Sequence, residues 1–112
     1  MTGRLASHVL VGGLLRQAEA EGGFGAVVAK GDSMGGAIAV ILAEKGRKAC
    51  FLERMLQPDG RYEWCKSGPA VANAEQFELF LAKRRRIDPD LWIVELDIAS
   101  AERFAAEMNG RG

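Results

Sequence analysis

The stretch Lys83 to Asp97, KRRRIDPDLWIVELD, narrows the choice of fold more than any other part of the chain. Four successive cations suit the last turn of a helix, where they complement the carbonyl end of the helix dipole. Asp88 precedes Pro89, which pushes it out of the helical region, so the helix is over by that point. Leu91 to Ile98 then reads as a strand, with Trp92, Val94, Leu96 and Ile98 on one face and Leu91, Ile93, Glu95 and Asp97 on the other. That apolar density places the strand inside a sheet.

Upstream, Leu5 to Glu21 reads as a helix, because Val11, Leu14, Leu15 and Ala18 recur at i, i+3, i+4 and i+7. Ser7 is the expected N-cap, and Gly22-Gly23 stops the helix. Gly12 and Gly13 lie inside it at about 1 kcal/mol each relative to alanine, which suggests close packing of another element there. Four strands follow, Ala26 to Lys30, Ala37 to Ala43, Lys48 to Arg54 and Arg61 to Ser67, separated by GDSMGG, EKG and QPDG. Short separators rich in turn residues predict hairpins, and so a meander. The second strand has both faces covered; Tyr62 and Trp64 in the fourth alternate with Arg61, Glu63 and Cys65, as where one face meets solvent.

Asn73-Ala74-Glu75-Gln76 is a capping-box pattern, opening a helix in which Phe77, Phe80, Leu81 and Arg84 share a side. Ser100 caps a short last helix through Phe104 and Met108, with Asn109 to Gly112 as a frayed tail. The expected fold is α+β in one domain over residues 1–112. It has an N-terminal helix, an antiparallel four-stranded meander, a helix, a fifth strand inserted in or added to the sheet, and a short C-terminal helix.

A chain of 112 residues suits one domain with its own core. Fifteen cations balance fifteen anions, so no global field draws nucleic acid or membrane. The longest apolar run is far short of the roughly 20 residues that span a bilayer, and no signal-peptide cleavage pattern follows the first Arg. Two cysteines, Cys50 and Cys65, make no disulfide framework. The expected compartment is the cytoplasm.

Gly31-Asp32-Ser33-Met34-Gly35 matches the nucleophile elbow G-x-S-x-G of α/β-hydrolases. In those enzymes the histidine follows the serine along the chain; here His8 precedes Ser33 and none follows. The fold also demands a larger parallel sheet with several crossovers. A glycine-rich hairpin loop explains the same letters. No P-loop is present, and His8, Cys50 and Cys65 show none of the local spacings of zinc ligands, so no metal and no cofactor are implied. Asp88 and Asp90 directly follow the four cations and would repel a polyanion gripped by them.

The amphipathic helix ending VGGLLRQ, VVAKGD with GGAIAV beyond it, Trp64 after Arg61 and the closing RRRIDPDLWIVELD together resemble a small bacterial family known as domain of unknown function family 1491. The resemblance runs from Leu5 to Asp97. It implies a strand, not a helix, at Ala37 to Ala43, and it brings no functional residue with it. Leu10, where an aromatic residue is common, and the segment Ser100 to Met108 stand out as peculiar to this chain.

Two classes of function remain. The first is a binding or regulatory domain acting through a protein partner or as a homo-oligomer, by way of sheet edges and the charged turn Arg85, Arg86, Asp88, Asp90 beside Trp92. The alternative is a small enzyme or ligand binder using Asp32 with Asp88 or Asp90 as acid and base. Single-stranded RNA binding on an exposed Tyr62 and Trp64 is a third reading, disfavoured by the neutral charge.

Overall fold

The computed structural model describes residues 6–68 and 73–110. Its elements in order are α1 (Ser7–Ala20), β1 (Phe24–Ala29), β2 (Ile38–Glu44), β3 (Arg47–Leu56), β4 (Tyr62–Lys66), α2 (Ala74–Ile87), β5 (Trp92–Asp97) and α3 (Ala101–Gly110). The helix start expected at Leu5 lies outside the described residues.

The five strands form one mixed sheet in the order β1-β5-β2-β3-β4. β2, β3 and β4 pair as antiparallel hairpins, as their short turns require. Lys45 and Gly46 both have positive φ, 51° and 81°, the backbone of a two-residue type I′ turn. The expected four-stranded meander fails at β1, which pairs antiparallel with β5, while β5 runs parallel to β2. Burial supplies the reason: Leu91, Trp92, Ile93, Val94, Leu96 and Ile98 are all buried, and only a central strand has both faces covered. The sheet is therefore mixed, and the connection between β1 and β2 straddles a strand. It must bridge about 10 Å, twice the strand spacing, which a tight hairpin turn cannot do.

One face of the sheet carries α1 and α3 over Val40, Leu42, Leu52, Trp92, Val94 and Leu96. The other carries α2, with Phe77 and Leu81 over Ala39, Ile41, Phe51 and Ile93. Phe51 meets Phe77 and Phe80 edge to face, with ring centroids 5.7 and 5.3 Å apart. Asn73 caps α2 by accepting the Gln76 N–H at 3.0 Å, as its motif predicts. At the far end of the same helical face, Arg84 reaches Glu53 at 2.5 Å, and Ser67 Oγ donates to the same carboxylate. Burial by itself pushes the Glu53 carboxyl up; the hydrogen bonds from Arg84 and Ser67, with the Arg84 charge, outweigh it and hold the group below its ordinary value.

Three local expectations change. Ser7 is the first helical residue and not the cap: Ala6 holds that position, with no side-chain cap bond. Neither Gly12 nor Gly13 answers to close packing, since a Cβ at Gly12 would meet only its own helix's Arg16, at 3.4 Å, and one at Gly13 nothing within 4 Å. Asn109 is not frayed. Its side chain accepts the Trp64 N–H at 2.7 Å and donates to the Trp64 carbonyl at 3.1 Å, so the end of α3 mimics a neighbouring strand along β4.

Among the described residues no helix is long and apolar enough to cross a membrane. Because Gly13 sits in open space inside a helix, Gly13→Ala should stabilise the protein by about 1 kcal/mol in chemical denaturation. Destabilisation would show that α1 is packed there after all.

Candidate functional site

The loop containing GDSMGG wraps the N-terminal end of β5. Asp32 N–H donates to the Asp90 carbonyl at 3.1 Å, and Trp92 Nε1–H donates to the Asp32 carbonyl at 2.7 Å. A Cβ on Gly31 or on Gly36 would come within 2.1 Å of that same Asp90 oxygen, so both positions need glycine for close approach. The Asp32 carboxylate turns back on its own loop, accepting from Met34 N–H at 3.3 Å and Gly35 N–H at 2.8 Å.

The same loop caps α1. Ser7 N–H donates to the Met34 carbonyl at 3.1 Å and His8 N–H to the Ser33 carbonyl at 2.9 Å, while Ser7 Oγ donates to the Gly36 carbonyl at 2.6 Å. Two of the four orphan donors of the helix are thereby satisfied by carbonyls from a loop distant in sequence. The letters of the nucleophile elbow thus have a structural explanation, though it is a strand-straddling clasp and not the hairpin expected. The fold does bring His8 to Ser33, which chain order had set aside; its Nδ1 lies 2.9 Å from the Ser33 carbonyl oxygen.

The charged turn is a joint of similar kind. Arg85 donates from Nη1 to the carbonyls of Pro89, at 2.7 Å, and Leu91, at 2.6 Å. Asp88 accepts the Asp90 N–H at 3.1 Å. Trp92 is buried, with its indole N–H committed to Asp32. Of the six residues singled out from sequence, Asp32, Asp90 and Trp92 therefore meet directly. Asp88 and Arg85 brace the turn beside them, and Arg86 is exposed. The contact between Asp32 and Asp90 runs through their backbones, while the Asp32 and Asp88 carboxylates are spent on local turns.

A groove of about 310 Å³ opens on the other side of the clasp, lined by Ser7, Leu10, Met34, Gly36, Arg54 and Tyr62 among others. The Arg54 guanidinium lies 4.1 Å from the centre of the Tyr62 ring. Neither Tyr62 nor Trp64 is the exposed stacking platform of the RNA reading: both are half-buried, and Trp64 packs against the core under α3. Cys50 packs on the α1 and α3 face, whereas Cys65 is opposite Glu53 on the α2 side, so the sheet separates the two thiols. Burial pushes the Cys50 thiol up, with Lys66 opposing and Glu44 adding to the effect. Among the described residues, no group of three His, Cys, Asp or Glu is placed to hold a metal ion.

Sequence reading pointed to the sheet edges but did not identify β1 as one of them. Insertion of β5 leaves β1 outermost, where Phe24, Val27 and Val28 are 64, 42 and 53 % exposed. The absence of any charge from FGAVVA was the available signal.

The architecture is that of a small α+β domain, a mixed five-stranded sheet with helices on both faces. The chain belongs to the family described as protein of unknown function (DUF1491), whose model matches residues 5–106. That match runs into α3, so the segment after β5 is not peculiar to this chain. The crystal structure of a DUF1491 family protein from Caulobacter crescentus is similar, with 29 % identity, a TM-score of 0.74, and 82 % of this chain and 86 % of that one covered. An NMR structure of a DUF1491 family protein from the same organism gives 27 % identity, a TM-score of 0.75, and coverage of 88 % and 90 %. The solution structure of a protein from A. tumefaciens gives 31 % identity, a TM-score of 0.68, and coverage of 88 % and 89 %. No curated protein matches the sequence.

Because Gly36 faces the Asp90 carbonyl and Gly35 does not, the two glycines should respond differently to alanine. Gly36→Ala should destabilise by roughly 2–4 kcal/mol in urea denaturation, and Gly35→Ala by no more than about 0.5 kcal/mol. Equal effects would remove the clasp reading of the loop.

Proposed function

We propose that this protein is a small binding domain of the bacterial cytoplasm that acts through contact with a protein chain, and that its contact surface is the free edge of β1. The observation that carries the reading is the contrast between the two edges of the sheet. At β4, the backbone of Trp64 is occupied by Asn109. At β1, six residues without charge or proline end the sheet and expose Phe24, Val27 and Val28. Edge strands are ordinarily blunted by lysine, proline or a covering element, because their unpaired backbone groups template pairing with another chain. Apolar side chains on such an edge favour strand addition, in which backbone bonds give affinity and side chains give selectivity. The charged turn from Arg85 to Trp92 then serves to hold the sheet together, with the exposed Arg86 and Asp90 side chains the members of that set best placed to touch a partner.

The test is photo-crosslinking in living cells, with the crosslinking residue placed at Val28 or, as control, at the exposed Glu102 of α3. Species heavier than 12.1 kDa are expected from position 28 and not from position 102. No crosslink from position 28, or equal crosslinking from both, would overturn the reading.

A further inference from the structure

We infer that the occupant of the β1 edge is a second copy of this chain, with the two β1 strands antiparallel about a two-fold axis near Ala26. The inference rests on the reading of β1 as a contact surface and names the partner.

Three observations select a second copy. The first is closure. Asn109 fills the hydrogen-bonding positions of Trp64 at the centre of β4, whereas among the described residues no side chain is bonded to the outer edge of β1. An isologous pairing of two β1 edges closes on itself, giving a dimer of ten strands and not an open filament.

The second is charge. Glu19 precedes β1 and Lys30 follows it, while the strand itself is uncharged; Glu21 is committed to Arg103 of its own chain at 3.2 Å. An antiparallel pair brings the acidic end of one copy toward Lys30 of the other; a parallel pair would set like charges together. The strand thus carries its own complement, which a partner of unrelated sequence would have to supply separately.

The third is shape. About an axis near Ala26, Phe24 of one copy falls opposite Val28 of the other, and both are exposed apolar side chains. The pairing of β1 with β5 shifts register between Val27 and Ala29, so Val28 is the residue that β5 leaves unpaired. A bulge of this kind bends the strand and re-aims a side chain, here one that is 53 % exposed. The contact is that of one short strand pair, in the size class of reversible and not permanent association.

Sedimentation equilibrium of the intact purified protein, from micromolar to millimolar concentration, tests this directly. The average mass should rise from 12.1 kDa toward twice that value, while Val28→Lys, with an unchanged melting temperature, should stay at 12.1 kDa throughout. Met55→Lys, at an exposed position on β3, should still double in mass. Hydrogen exchange on the unmodified protein provides a readout free of any folding defect: β1 amides should slow as concentration rises and β4 amides should not. A wild-type mass fixed at 12.1 kDa, or dimerisation that survives Val28→Lys, overturns the inference. Crosslinks from Val28 to a different protein, with the purified chain monomeric, would sink self-pairing alone; no crosslink from Val28 would sink the contact surface itself.

Discussion

A strand with two apolar faces must be covered on both, and β5 is that strand. Trp92, Val94 and Leu96 point to the layer of α1 and α3, and Ile93 points to α2. Only an interior position satisfies both sets, so β5 lies between β1 and β2, and their connection has to step over it. The close approach of loop to strand follows. Gly31 and Gly36 surround the Asp90 carbonyl, Asp32 N–H donates to it, and the Trp92 indole returns a bond to the loop. The other end of β5 is held in the same manner. Both Asp97 carboxylate oxygens accept from the β2–β3 turn, at 2.9 Å from Lys45 N and 2.7 Å from Gly46 N, and Gly23 lies against the Asp97 carbonyl.

The consequences spread outward from that insertion. The loop that straddles β5 presents its Ser33 and Met34 carbonyls to the start of α1. Glu44, at the end of β2, accepts the Ala101 N–H at 2.6 Å and so helps start α3. With β5 inside, β1 is pushed to the rim. The candidate contact surface is therefore a by-product of where a strand with two apolar faces had to go. Arg85 and Asp88 belong to the same economy of bonds, since they stiffen the turn that delivers the chain into β5.

Much of this plan was legible in the residues. The two-faced apolar pattern of Leu91 to Ile98 placed it inside a sheet, Asn73 and Gln76 marked the start of α2, and the short turns around Lys45-Gly46 and Pro58-Asp59-Gly60 marked two hairpins. What could not be read was which strand neighbours which. β1 is small and apolar, and nothing in Ala26 to Ala29 distinguishes β2 from β5 as its partner. Ser7 illustrates a second limit. A serine at the start of a helix looks the same whether it caps its own turn or reaches across to Gly36, and only the loop's position decides. Asp32, Asp90 and Trp92 do converge, but as a structural joint, because the Asp32 carboxylate, the Asp90 main-chain carbonyl and the Trp92 indole N–H are each matched to backbone groups.

The central claim is that the GDSMGG loop is part of the rigid frame that fixes β5, and not a mobile loop built around Ser33. Native-state hydrogen exchange addresses it at the Asp32 amide and the Trp92 indole N–H. Bonds that open only when the strand order is lost should exchange together with the β5 core amides, at the free energy of global unfolding. Exchange of both protons on the timescale of exposed loops, with β5 still protected, would contradict the account.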